Sequence, residues 1–209
     1  MSNTLSTDKQ IAIIAALAEG SSIRGIERMT GVHRDTIMRL GVKIGKGCMN
    51  ILNEKMVDLP CDDLQLDEIW GFVGKKNKHL KADDDETQLG DVWTFCAVDR
   101  QTKAVPCFKV GKRDTATTNA FVGDLASRLR GRAQLSTDGL KTYIDAIDKS
   151  FGTEVDYGMI VKSYGTVEES KSPAHRYSQP EVTDIKKYVV MGAPSVFHWL
   201  PVVRPARAE

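Results

Sequence analysis

Cysteine is scarce and scattered. The four cysteines, Cys48, Cys61, Cys96 and Cys107, include no Cys-x-x-Cys pair. This excludes an obvious zinc ribbon or finger and argues against a disulfide framework. Long hydrophobic runs are also missing, since no apolar stretch approaches the roughly 18–20 residues of a membrane span. The opening residues, MSNTLSTDKQ, are polar and carry no apolar signal region. The expectation is a cytoplasmic protein with no membrane partner. A charge excess of one sign is lacking too. Lys and Arg number 29 against 28 Asp and Glu, a net charge of +1. The whole-chain balance therefore argues neither for nor against a polyanionic partner. What is present is ordinary globular usage, 41% hydrophobic and 27% charged. The 209 residues suffice for one large domain or two small ones.

Charge by segment is more informative. Residues 1–57 carry eight basic and five acidic side chains, whereas residues 58–100 carry five basic and eleven acidic. The remainder carries sixteen basic and twelve acidic. A basic segment followed by a carboxylate-rich one suggests two units of different chemistry. The boundary falls in Val57–Asp63, where a proline ends a helical pattern.

Thr7 is positioned to cap a first helix with Ile11, Ile14, Ala15 and Leu17 or Ala18 at helical spacing, and Gly20 to end it. Ser22 caps a short second helix bearing Ile23, Ile26 and Met29, broken at Gly31. A third helix begins near His33 and turns Val32, Ile37 and Leu40 inward. Three short helices with a glycine turn before the last make a helix-turn-helix pattern over residues 1–57. His33, Arg34, Asp35, Met38 and Arg39 are left on the outer face, and the arginines can reach phosphates or guanine edges of double-stranded DNA. The plainer alternative is a helical bundle with idle surface arginines. From Val42 to Met56 the helical pattern continues, weakened by Gly41, Gly45 and Gly47, and reads as a connector.

From Leu64 the period changes to that of a strand, through Leu-Gln-Leu-Asp-Glu-Ile-Trp-Gly-Phe-Val. Asp67 lies there among apolar neighbours, where an isolated carboxylate is costly. The run Asp83, Asp84, Asp85, Glu86 reads as a solvated turn with no metal role. Asp91–Asp99 gives a second strand and Ala104–Val110 a third. Asp114 or Thr115 caps a helix with Ala116, Ala120, Phe121, Leu125 and Leu129 inward. A fourth strand, Gln134–Asp138, precedes a helix over Leu140–Lys149, and Glu154–Gly158 is a candidate fifth strand.

The order β-β-β-α-β-α-β is that of the ribonuclease-H-like fold, an α/β architecture in which the first and fourth strands are neighbours. Asp67 and Asp138 then lie side by side. Adjacent carboxylates repel unless a cation separates them, and Mg²⁺ or Mn²⁺ is a hard ion suited to oxygen ligands. Such ions can activate water and stabilise the leaving oxygen at a phosphodiester. The alternative is that both aspartates merely shape turns.

At these residues the sequence resembles the insertion-sequence-1 family of bacterial transposases, in the branch with an N-terminal helix-turn-helix. The stretches that carry the resemblance are LQLDEIWGFVGKKNKH, GDVWTFCAVDRQTKAVPCFKVGKRD, LSTDGLKTYIDAID and VDYGMIVKSYG. It extends from about Ser6 to Met191. The resemblance implies a DDE integrase-type core on a ribonuclease-H-like fold. It also implies recognition of terminal inverted repeats and target DNA, metal-dependent strand cleavage and transfer, and a homo-oligomer when active. Asp67 matches the family's first catalytic aspartate and Asp138 its second. Glu68 belongs to the motif but alternates to the opposite face, and Trp70 reads as packing.

The family's third acid lies in a Tyr-Val-Glu-Arg-Gln-Asn stretch, which has no counterpart in this sequence. Glu168, Glu169 and Glu181 precede the expected position, and Glu209 is terminal. The family pattern stops abruptly near Met191-Gly192, as a shifted reading frame produces. The expectation is therefore a core over residues 58–192, incomplete at its C-terminus, with an aberrant proline-broken tail over 193–209. The resemblance then implies a transposase copy inactive for lack of the third acid. The alternative is a non-catalytic DNA-binding remnant or repressor of transposition.

Overall fold

A computed structural model describes residues 4–165 and 182–195. The chain divides into two compact units, Met1–Met56 and Val57–Glu209.

The first unit holds three helices, α1 (Thr7–Ala18), α2 (Ile23–Thr30) and α3 (Arg34–Lys55). Each start is capped by a side chain that accepts from an otherwise unpaired N–H. Ser6 accepts from Lys9, Ser22 from Gly25, and the His33 ring from Asp35. The α1 cap is thus Ser6, one residue earlier than the Thr7 expected. Gly31 ends α2 at φ 68°, in the left-handed region where a side chain is strained. Ile13, Ile26, Val32, Ile37 and Leu40 form the core. On α1 the buried residue is Ile13 and Ile11 is exposed, because the helix is rotated from the face its spacing predicts. Residues 42–55 continue α3 as one helix, Gly45 and Gly47 included, as the continuing pattern predicts.

The second unit is a mixed α/β structure. A six-stranded sheet runs β3-β2-β1-β4-β5-β6 among the described residues. The strands are β1 (Asp63–Val73), β2 (Gly90–Asp99), β3 (Phe108–Gly111), β4 (Ala133–Thr137), β5 (Val155–Tyr164) and β6 (Val182–Met191). β1, β4 and β5 are parallel, and β2, β3 and β6 pair antiparallel with their neighbours. This order is compatible with a ribonuclease-H-like fold. Helices α4 (Thr115–Arg128) and α5 (Thr142–Phe151) pack on each other and on one sheet face, where Leu64, Leu66, Phe95, Phe121, Leu125, Leu135, Tyr143 and Ile147 are buried. On the opposite face Ile69 and Val110 are exposed, and Val189 is 60% exposed.

Several details depart from the sequence reading. β3 begins at Phe108 and not at Ala104, because Pro106 brings no N–H to a ladder. The inward stripe of α4 is Thr118, Phe121, Val122, Leu125 and Arg128, while Ala116 and Ala120 face solvent. α5 starts at Thr142 because Asp138 Oδ1 accepts from Leu140 N at 2.9 Å and holds that residue in a turn. β5 extends to Tyr164, and β6 pairs along it as an edge strand carrying Asp184, Lys186 and Lys187. Charged side chains of this kind discourage pairing of an open edge with another chain. Ala193 N donates to Asp156 Oδ1 at 2.7 Å. Beyond Ser195 the expected aberrant tail lies outside the described residues, as do Glu168, Glu169, Glu181 and Glu209.

Candidate functional site

β1 and the parallel strand β4 are neighbours, Leu64 pairing with Leu135 and Gln65 with Ser136. Asp67 lies midway along β1 and Asp138 directly after β4, and both line one cleft of about 1000 Å³. The cleft is also lined by Glu68, Trp93, Arg113, Lys141 and Lys162.

Asp67 is exposed, and its Oδ1 accepts from Glu68 N at 2.9 Å. The expected burial cost does not arise, because strand alternation turns this carboxylate away from the helices. The Asp138 side chain is 46% exposed. The cleft carboxylate that is buried is Glu68, whose side chain is 1% exposed. It does alternate to the face opposite Asp67, but that face is the covered one.

Burying Glu68 requires partners. Tyr143 Oη donates to Glu68 Oε1 at 2.6 Å from α5. Arg113 Nε donates to Glu68 Oε2 at 3.1 Å from the loop before α4. Arg113 Nη2 also reaches Asp138 Oδ2 at 3.4 Å, and the guanidinium stacks 4.9 Å from the Trp93 ring centroid. Burial pushes the Glu68 pKa above the ordinary carboxylate value. The Tyr143 hydrogen bond opposes that rise, the Asp138 charge adds to it, and Arg113 opposes it. Burial and then the Glu68 charge drive the Tyr143 hydroxyl upward. Tyr157 donates to or accepts from Thr137 Oγ1 at 2.8 Å beneath the cleft, and burial pushes its hydroxyl up to about 12.

The loop carrying Arg113 is fixed by a close approach. A Cβ added at Gly111 would meet Thr117 Cγ2 at 2.6 Å, so only glycine lets β3 pass the first turn of α4. Asp114 then caps α4 by accepting from Thr117 N at 2.7 Å.

Among the described residues no group of three or more His, Cys, Asp or Glu side chains is placed to hold a metal. Asp67 and Asp138 nonetheless both line the cleft and offer carboxylate oxygens to it. That donor pair fits Mg²⁺, which keeps several waters and takes one or two carboxylates plus substrate phosphates.

In the other unit His33, Arg34, Asp35, Met38 and Arg39 are all exposed at the start of α3. His33 Nδ1 accepts from Asp35 N at 3.3 Å, and Arg34 N donates to Glu27 Oε1 at 3.0 Å. The second bond ties α3 to α2 while the Arg34 guanidinium stays outward, its side chain 53% exposed.

Sequence reading missed Arg113 and Tyr143. Neither carries a local signal, since each becomes significant only through a carboxylate far away in the chain.

No family model matches this chain, and no curated protein does. Among solved structures it is similar to a piggyBac transposase determined by electron cryo-microscopy in a synaptic complex with hairpin DNA. The TM-score is 0.39 and the identity 13%, over 78% of this chain. The chain spans 42% of that transposase chain. No helix among the described residues is long and apolar enough to cross a membrane.

Proposed function

We propose that this chain is a transposition protein of the insertion-sequence-1 kind. Its first unit reads double-stranded DNA at element ends as a helix-turn-helix, and its second carries a core for DNA phosphodiester cleavage that is inactive or badly impaired in this copy for lack of the third acid. What supports the reading is that Asp67, on β1, and Asp138, just after the neighbouring parallel strand β4, line one cleft together with Arg113, Lys141 and Lys162.

Asp67 and Asp138 would hold Mg²⁺ or Mn²⁺, which when bound activates water and stabilises the leaving oxygen. Lys141 and Lys162 line the same cleft and supply point charges for the DNA backbone. In the first unit, Arg34 and Arg39 reach phosphates or base edges from the start of α3, flanked by His33, Asp35 and Met38. Assembly as a homo-oligomer belongs to the same reading.

A second reading is a non-catalytic DNA-binding remnant that occupies element ends and represses transposition. The observation favouring it is the engagement of Glu68, the third carboxylate of the cleft, by Tyr143 and Arg113. A nicking assay on an element-end duplex with Mg²⁺ separates the two. Nicking that disappears in Asp67→Asn and Asp138→Asn supports a strand-cleaving enzyme. Binding without nicking supports the remnant, and loss of both overturns the transposition reading.

A further inference from the structure

Arg113 is the cation that reaches the acidic end of the cleft, and it is shared unequally. Its guanidinium lies 3.0 Å from Glu68 Oε2 and 3.4 Å from Asp138 Oδ2. Glu68 is itself fixed by Tyr143 and buried, whereas Asp138 is half exposed. Trp93 supports the guanidinium from one side. The Glu68 contact is therefore the anchor and the Asp138 contact the releasable arm. A planar guanidinium can fork across two carboxylates in this way, and a lysine ammonium on its flexible stem is a point charge without that fork.

We propose that Arg113 is the built-in counter-cation of this cleft, held on Glu68 so that it occupies Asp138 until a divalent ion displaces it. The inference rests on reading Asp67 and Asp138 as the metal-holding pair. It assigns Arg113 and Glu68 as positioning residues that set how readily the cleft takes up metal. Glu68 keeps the displaced guanidinium within the cleft, beside the phosphate that the metal would bring.

The test is Mn²⁺ binding to the full chain, read by calorimetry and by the loss of the free-ion paramagnetic resonance signal. Arg113→Gln should tighten Mn²⁺ binding by about tenfold, the scale of one removed like charge at partly screened distance. A merely structural role would give no gain. Arg113→Lys separates the fork from simple charge. It keeps the cation but cannot bridge both carboxylates, so it should recover most of the gain. Glu68→Gln should act oppositely, because a guanidinium freed from its anchor settles on Asp138.

Wild-type affinity in Arg113→Lys means that charge alone acts, and the clamp is overturned. So does an unchanged or weakened Arg113→Gln. If Glu68→Gln fails to fold, the two Arg113 variants decide the matter. Loss of Mn²⁺ in Asp138→Asn without any gain in Arg113→Gln leaves the metal pair standing and removes the clamp. Absence of binding in both wild type and Arg113→Gln removes both.

Discussion

Glu68 concentrates the physical tension of this protein in one side chain. A carboxylate 1% exposed persists only because Tyr143 and Arg113 satisfy its oxygens. Tyr143→Phe removes one donor and leaves an acceptor buried without it. The expected loss of stability is about 1–3 kcal/mol, read from urea unfolding. The pH dependence has a definite sign. The folded Glu68 pKa is raised, chiefly by burial, so the folded chain retains a proton that the unfolded chain has released. Its contribution is fully present below the unfolded carboxylate value of about 4.3 and is lost as pH rises through the higher folded value. Glu68→Gln has no such titration. The stability deficit of that variant should therefore be largest in acid, below that unfolded value, and shrink toward neutral pH. Urea unfolding of both proteins across this range checks it. A deficit that grows with pH would show that Arg113 and Tyr143 outweigh the burial.

Among the elements, α3 carries the sharpest functional expectation. Arg34 and Arg39 face outward from its first turns, so replacing both by Ala should weaken binding to element-end duplex in a gel-shift titration. The salt dependence of the remaining binding should become shallower, because a protein that neutralises fewer phosphates releases fewer counterions. Equal affinity of wild type and double mutant would remove α3 from the interface. At the far end of the sheet, Arg132 and Asp156 clasp β4 to β5 through contacts of 2.9 and 2.7 Å, and Asp156 also accepts from Ala193 N. The Arg132 guanidinium holds the Asp156 carboxyl below its usual range. That stabilisation is present above the unfolded pKa and lost as pH falls through the lower folded one. Asp156→Asn should lower the melting temperature at neutral pH, and the two proteins should converge in acid.

Among the described residues there are two separate cores, one around Ile26 and Ile37 and one around Phe95, Leu135 and Tyr143. The second unit begins just after α3, where Leu59 N donates to Arg128 O at 2.9 Å. Among the described residues, limited trypsin digestion should therefore cut near Lys55, the last residue of α3, sooner than inside the sheet of the second unit. Cleavage inside β1 or β4 at the same rate would contradict the division.

Much of this arrangement is legible in the sequence because it depends on neighbours in the chain. The caps at Ser22 and Asp114, the left-handed Gly31 and the alternation through Leu64, Leu66 and Glu68 all follow from contacts within a few residues. The adjacency of β1 and β4, on and after which Asp67 and Asp138 lie, is legible at one remove, through the expected strand order. Other features are decided only by tertiary packing. The rotation of α1 onto Ile13 and of α4 onto Thr118 and Val122 depends on what each helix packs against. The edge strand β6 exists because β5 offers it a ladder. Glu68, Arg113, Tyr143 and Asp138 come together across 25 to 75 residues of chain. A local pattern shows that a carboxylate is present and which way it points. Whether it meets water, a tyrosine or a guanidinium is settled only when distant segments close around it, because burial and pairing are properties of the assembled interior.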